Sequence, residues 1–417
     1  MVDKTFDKNI QLYKFSTYGF LKNLRFYEPF LLLFLLENGL NYTQIGILYG
    51  VREILINIFE IPSGMIADAT GRRRTMVFSF ILFSISFIIF YLSSTFGFFL
   101  LAMTVFALGN AFRSGVHKAM IFQYLKQKGW QNQKIHYYGY TRSWSQIGSA
   151  ISALAAGFIV FYQDSYRIIF LFTVIPYILD IFLIMSYPGF LDGDKASPTW
   201  VDIKRKFGLI FRDFLITFRS WQRITAVLNV SVYSGFYKAS RDYLQAVIKT
   251  LAPLFPLFYG LSQQDKISIV VGVSYFVIYS LSSVASRRSG IIADRFRRLT
   301  IPLNITLVLG LSMGILAGIG QLSKLPLLAI VPFILIILVE NLRNPMGVSY
   351  IASKTQSHVH ASVLSAHSQL KSLIAALIAF ALGFFSDRFG VGNALIIVSS
   401  IFLVLTPFYA AGYRKNK

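Results

Sequence analysis

The chain contains no cysteine, which excludes disulfides and thiolate-held metal sites. Charge is sparse: Asp, Glu, Lys and Arg make up 14% of 417 residues, where a soluble domain carries about 25%. Acid is the scarcer sign, 18 residues against 40 Lys and Arg. No Gly-x-x-x-x-Gly-Lys-Ser/Thr phosphate loop occurs, so ATP-driven work by this chain is not expected. No His-Glu-x-x-His occurs either. The pair His358 and His360 in "SHVHASVLSAHSQLK" has no nearby carboxylate to complete a ligand set. No enzyme activity, cofactor or metal is expected. The N-terminus lacks a short apolar stretch with a small-residue cleavage site, so the first apolar segment is expected to stay in the membrane.

What the chain does have is apolar length. Hydrophobic residues make up 55% of it and aromatic residues 16%, and the mean hydropathy is +0.59. About 20 apolar residues cross a hydrocarbon core of about 30 Å. Twelve such segments are expected, near 15–37, 44–66, 75–95, 97–122, 140–162 and 167–187, then 224–248, 267–286, 299–319, 326–346, 364–386 and 391–412. The fold class is therefore an all-α polytopic membrane protein. Its expected divisions are an N-terminal six-helix half (1–187), a central loop (188–223) and a C-terminal six-helix half (224–417). The loop holds seven basic residues from Lys195 to Arg223.

The net charge of +22 would suggest nucleic acid on a soluble protein. Here it follows topology, and no nucleic-acid partner is expected. Lys and Arg gather in alternate connections: Arg72 to Arg74, Lys126 to Lys134, the central loop, Arg287 to Arg298, and both termini. The opposite connections, such as "SSTFG" and "SDRFGVG", carry few. The rich side is expected to be cytoplasmic, with both termini inside a bacterial plasma membrane.

The two halves resemble one another. An offset of 216 aligns "YGFLKNLRFY" with "SGFYKASRDY", matching Gly19, Phe20, Lys22, Arg25 and Tyr27 to Gly235, Phe236, Lys238, Arg241 and Tyr243. An offset of 223 aligns Ser145, Gln146, Ser149 and Asp164 with Ser368, Gln369, Ser372 and Asp387. "NAFR" and "ENLR" pair Arg113 with Arg343. Parallel repeats of this kind are related by an axis along the membrane normal, with a substrate site at their interface.

A further repeat lies after the second segment of each half: "GMIADATGRRR" from Gly64 and "GIIADRFRR" from Gly290. It resembles the Gly-x-x-x-Asp-x-x-Gly-Arg-Arg signature of the major facilitator superfamily. The first copy matches at Gly64, Asp68, Gly71, Arg72 and Arg73. The second keeps Gly290 and Asp294 and loses one residue and the second Gly. Positive-inside topology accounts for the arginines but not for the repeated Gly-x-x-Ala-Asp. The resemblance spans the chain and implies a secondary transporter of a small molecule, expected as a monomer in contact with lipid. It implies alternating access by rocking of two halves, with this motif acting as a gate. "REILINIFEIPSG" and "YYGYTRSWSQIGSAI" are similar to a poorly assigned bacterial branch that includes drug-efflux members.

In that superfamily the first, fourth, seventh and tenth spans line the central cavity. A charge at bilayer depth costs about 2.5–3.5 kcal/mol on lenient scales, so charges there need a reason. Lys22, Arg25 and Glu28 fall on the first span, and Arg113, His117 and Lys118 on the fourth. Lys238, Arg241 and Asp242 fall on the seventh, and Glu340 and Arg343 on the tenth. Arg113 and His117 are four apart and are expected to share a helix face. Arg52 and Glu53, being adjacent, are expected to serve different neighbours. One reading is an anion site, with Arg25 facing Arg241 and the cargo an organophosphate, carboxylate or siderophore-like anion. The other pairs these bases with Glu28, Glu53, Asp242 and Glu340 as gating ion pairs. Glu28, Asp242 and Glu340 are the candidate proton carriers, with His117 and His367 as alternatives. Forty Phe and 23 Tyr also suit proton-coupled export of amphipathic drugs, and a transporter-like sensor without flux is the remaining class.

Overall fold

A computed structural model describes residues 8–193, 208, 220–255, 260–354 and 360–412, and every regular element among them is helical. The helices are α1 (Ile10–Leu21), α2 (Leu31–Glu37), α3 (Tyr42–Thr70), α4 (Arg72–Leu92), α5 (Phe96–Arg113), α6 (Val116–Gln127), α7 (Lys134–Gln163) and α8 (Ile168–Met185). They continue as α9 (Trp221–Ser240), α10 (Leu244–Leu251), α11 (Gln263–Asp294), α12 (Thr300–Leu322), α13 (Pro326–Ser353) and α14 (His360–Tyr409). Most of the central loop, and His358, lie outside the described residues. A Gly-x-Ser-x-Gly string, Gly310 to Gly314, falls inside α12. It therefore lacks the strand-to-helix turn that exposes a nucleophilic serine.

Among the described residues, eight helical stretches are long and apolar enough to cross a membrane, the most apolar being Ile168–Met185 at a mean hydropathy of 2.5. The rest of the twelve expected segments are present in altered form. α14 covers two of them, divided where Gly390 leaves helical geometry at φ 81° and ψ 160°. α3 spans 29 residues but carries Arg52, Glu53 and Glu60 along its middle. The first and seventh segments are interrupted.

Those two interruptions fall on the aligned repeat. Helix α1 stops at Leu21, Lys22 to Phe30 forms turns, and α2 resumes at Leu31. In the second copy α9 stops at Ser240, and a single 3₁₀ turn, Arg241–Tyr243, precedes α10. Both segments were expected to be continuous. Polar and charged residues at Lys22, Asn23 and Arg25, and at Lys238, Arg241 and Asp242, gain more from local partners than from an extended helix. The freed backbone is satisfied within the chain: Asn23 N donates to Phe20 O at 3.0 Å and Glu28 N to Arg25 O at 3.0 Å.

Packing of Cα atoms divides the chain into two compact units, Met1–Glu28 with Leu55–Ile203, and Pro29–Ile54 with Lys204–Lys417. This division follows packing rather than the repeat, and residues 29–54 join the second unit. In the first unit α1 packs on α7 and α8, and α4 on α5 and α8. Phe83, Phe87, Phe106 and Tyr177 fill the α4–α5–α8 core, with ring centroids 5.1–6.3 Å apart. In the second unit α9 packs on α14, and α12 on α13 and α14. The N-terminus of α3 is capped there by Asp387 of α14, which accepts from Tyr42 N at 2.8 Å and Thr43 N at 2.7 Å. A carboxylate suits the positive end of a helix.

Helix α7 reaches α1 closely because Gly148 has no side chain. A Cβ there would lie 2.5 Å from Phe20 O, too close for a rigid backbone neighbour. Gly148→Ala is expected to cost about 1–3 kcal/mol by overpacking, read as a lower thermal-unfolding midpoint in detergent.

Candidate functional site

The helix break in the first unit opens onto a cavity of about 350 Å³, within the size range of small-molecule sites. Lys22 from the break lines it with Arg113, His117, Lys118 and Arg142. Asn23, Thr141, Ser145 and Gln146 add polar groups, and Phe15, Tyr18 and Tyr138 add rings. Among the described residues, no Asp or Glu lines it. Helix α5 ends at Arg113 and α6 starts at Val116, with Gly115 between them in the left-handed region at φ 74°. Arg113 and His117 therefore do not share one helix face, contrary to the expectation from their spacing. A residue without a Cβ adopts that φ freely, and the resulting turn brings both side chains to the same cavity. Arg113 Nη2 donates to Asn110 Oδ1 at 2.9 Å. His117 stacks on Tyr18 with centroids 3.7 Å apart, and Lys118 Nζ lies 5.5 Å from the ring centres of both Phe122 and Tyr138.

Arg25 sits in the same break and pairs with Glu28 at 3.3 Å. Its repeat counterpart behaves alike: Arg241 Nε lies 3.4 Å from Asp242 Oδ1. Asp242 also has Arg52 Nη1 at 4.0 Å. Arg52 Nε donates to Glu53 Oε1 at 3.4 Å, and Glu53 is ion-paired with Lys238. The adjacent Arg52 and Glu53 thus bond each other as well as serving different neighbours, because long side chains can bend back along a helix. Glu53, Asp242 and Arg52 are buried, so this chain of opposite charges offsets the desolvation of each member.

Arg343 is fully enclosed, at 0% exposure. Its guanidinium donates to Asn229 O at 2.7 Å, to Thr306 Oγ1 at 3.2 Å, and to Asn229 Oδ1 and Leu303 O. It braces α9, α12 and α13, where its counterpart Arg113 lines a cavity. Glu340, one turn before it, is also buried. Ser234 Oγ donates to Glu340 Oε1 at 2.6 Å, and Oε2 has no hydrogen-bond partner among the described residues. His367 Nδ1 lies 2.8 Å from Ser231 Oγ.

The first signature copy joins α3 and α4 to the segment after α8, which includes the 3₁₀ turn Gly189–Asp192. Asp68 pairs with Arg72 at 3.6 Å, with 48% of the Asp68 side chain exposed. The firmer contact is to Asp192, which sequence reasoning did not single out. It accepts from Arg73 N at 2.8 Å and from Arg73 Nε at 3.2 Å, while Arg73 Nη1 donates to Tyr187 O at 2.6 Å. Gly71, at φ 102°, lets the carboxylate sit against the backbone, since a Cβ there would lie 3.1–3.3 Å from its atoms. Gly64 falls inside α3. In the second copy Gly290 and Asp294 close α11, and Asp294 is exposed at its last residue.

Sequence reasoning also missed Asp180. It is the lone charge within α8, at 0% exposure. Neither of its oxygens has a hydrogen-bond partner among the described residues. The signal was available, a single acid in "IIFLFTVIPYILDIFLIM", but it lies on the sixth span rather than on a span expected to line the cavity.

An all-helical, membrane-spanning chain with repeat-related helix breaks around buried charge has the build of a solute carrier. Residues 23–379 match the family model of the Major Facilitator Superfamily, and the chain belongs to that family, whose members are transporters and not enzymes. It is 22% identical over 397 residues to the uncharacterized MFS-type transporter YxaM of Bacillus subtilis (strain 168), covering 91% of this chain and 89% of that protein. Its fold is similar to that of the nucleoside transporter NupG, with a TM-score of 0.78 at 12% identity over 98% of this chain and 100% of the other. It is likewise similar to a POT family transporter in complex with 5-aminolevulinic acid, with a TM-score of 0.77 at 15% identity over 99% and 98% of the two chains.

The two signature acids are expected to differ in weight. Asp192→Ala removes a buried acceptor from two Arg73 donors and should cost about 1–3 kcal/mol. Asp68→Asn breaks an exposed pair worth about 0–1 kcal/mol. Thermal unfolding of both variants tests the order, and equal losses would return the main contact to Asp68.

Proposed function

We propose that the protein moves a small organic anion across a bacterial plasma membrane, by alternating access and with proton coupling, both termini lying in the cytoplasm. The observation that carries the anion reading is the first-unit cavity, lined by Lys22, Arg113, Lys118 and Arg142 with His117, and by no acidic side chain among the described residues. Like charges in a site of low dielectric repel, so the lining favours an anionic guest. Arg113 and Arg142 offer planar forks suited to phosphate or carboxylate, and Lys22 adds a point charge. Non-helical backbone at membrane depth is tolerated only where protein buries it or where it lines a cavity. Discontinuous helices at repeat-related positions accordingly mark substrate sites in transporters.

Arg25 and Arg241 serve in this reading as local ion pairs with Glu28 and Asp242 that exchange partners during the cycle, rather than as a bare anion clamp. The Asp68–Arg72 and Asp192–Arg73 contacts form a lock at the α3–α4 junction. Glu340 is the favoured coupling carboxyl over Glu28 and Asp242, because it is buried and one of its oxygens lacks a hydrogen-bond partner among the described residues.

In a thermal-shift panel, an organophosphate, carboxylate or siderophore-like anion is expected to stabilise the purified protein, by about 2.7 kcal/mol at a hundredfold excess over Kd. The double variant Lys22→Ala/Arg113→Ala should abolish that shift. Stabilisation by lipophilic cations that survives the double variant would instead make the protein a drug exporter. With the anion in hand, uptake into proteoliposomes should follow an imposed pH gradient and collapse with an uncoupler. Glu340→Gln should remove that dependence, and flux indifferent to the uncoupler would exclude proton coupling.

A further inference from the structure

The basic cavity of the first unit has no acid in its lining, yet an acid stands behind it. Asp180 lies in the last third of α8, wholly enclosed. Both of its oxygens lack hydrogen-bond partners among the described residues. Lys22, on the cavity wall, is held to α8 one turn before Asp180, where Tyr177 Oη donates to Lys22 O at 3.3 Å, and its charge acts on Asp180. The other groups that act on Asp180 are tyrosines, while Lys22 also feels Arg113, Arg25 and Glu28, the last two paired with each other at 3.3 Å. Tyr18 comes from α1, Tyr177 from α8 itself and Tyr187 from beyond its end. The α4 side is aromatic, with Phe80, Phe83 and Phe87 at centroid distances of 5.1, 5.4 and 5.1 Å from Tyr177. On the α7 side, Tyr137 packs with Tyr187 around Phe15, and Arg142 lines the cavity.

A carboxylate in such a place has three ways to avoid the cost of bare ionisation: hydrogen bonds, a cation or a proton. The first is absent here. The second, Lys22, is shared with the cavity. We propose that Asp180 is a proton-binding site, and that its ionised form and the anionic cargo compete as counterions for Lys22. With the proton on Asp180, Lys22 is free to hold the anion. When the proton leaves, the Asp180 carboxylate draws the Lys22 charge away and the anion is released. Proton and anion therefore bind together in the first unit, at a carboxyl distinct from Glu340. The link to cargo rests on the anion reading above; the proton site itself does not.

Infrared difference spectroscopy on the purified, substrate-free protein reads the proton directly. The C=O stretch of protonated carboxylic acids should contain a component that is lost in Asp180→Asn and survives in Glu28→Gln and Glu340→Gln. A spectrum unchanged in Asp180→Asn at every pH overturns the site. In Lys22→Met the band should persist to higher pH, because removing a nearby cation favours the protonated acid; an unmoved midpoint overturns the pairing. That variant decides the matter alone if Asp180→Asn fails to fold.

Inorganic sulfate then tests the link, since its charge is constant between about pH 5 and pH 8 while the carboxyl titrates. Sulfate affinity, measured by calorimetry, should weaken by up to about tenfold per pH unit as pH rises in the native protein, and should be flat in Asp180→Asn. Equal pH dependence in both proteins overturns the competition. If sulfate binds neither protein while the infrared band behaves as expected, the proton site stands and the anion reading falls.

Discussion

A backbone that crosses hydrocarbon has no water to turn to, so every amide must find its partner inside the protein. This constraint explains why every regular element among the described residues is helical, and why the departures from helix are informative. The breaks after Leu21 and after Ser240 do not fall at random. They fall on the five-residue match between the halves, where Lys22 and Arg25 in one copy correspond to Lys238 and Arg241 in the other. A lysine or arginine in a continuous lipid-facing helix would have to snorkel or be neutralised. At a break it meets carboxylates and loose backbone instead. The break and the charge support one another, and each would be costly alone.

The two copies have settled the same problem differently. In the second unit the charges alternate in sign, three bases with two acids between them, in the run Lys238, Glu53, Arg52, Asp242 and Arg241. Such a network holds its members in place and leaves little unmet potential for a ligand. In the first unit Arg25 is matched by Glu28, but Lys22, Arg113 and Arg142 gather on a cavity without an acidic lining. The asymmetry puts unmet positive potential in one unit and rigidity in the other.

Much of this was legible in the sequence because the bilayer reduces the choice of fold. Twelve apolar segments, the positive-side pattern and the paired motifs were enough to expect a helical transporter. The charged residues could also be named, since a charge in an apolar run is conspicuous. What could not be read was where those side chains end. Arg113 and His117 looked like one helix face until Gly115 broke the helix between them. Asp192 lay in a segment that reads as loop, and only the turn at Gly71 brings Arg73 to it. Asp180 is conspicuous only by its isolation in an apolar span, since its place in the repeat carries no signal of a cavity role.

The pair Arg113 and Arg343 shows why matched positions do not imply matched roles. Two residues after Arg113 the chain has Gly115, and two residues after Arg343 it has Pro345. The glycine takes a positive φ and ends the helix, which leaves Arg113 at the mouth of a turn facing open space. Helix α13 instead continues through Pro345. Proline removes a donor and loosens the helix, but it keeps φ negative. Arg343 therefore stays within a packed helix bundle, where its donors go to Asn229 O and Leu303 O. Oxygen atoms of the protein itself occupy the fork that in Arg113 is left to a single asparagine. One small difference in backbone freedom after the arginine thus separates a residue that holds helices together from one with donors to offer a ligand.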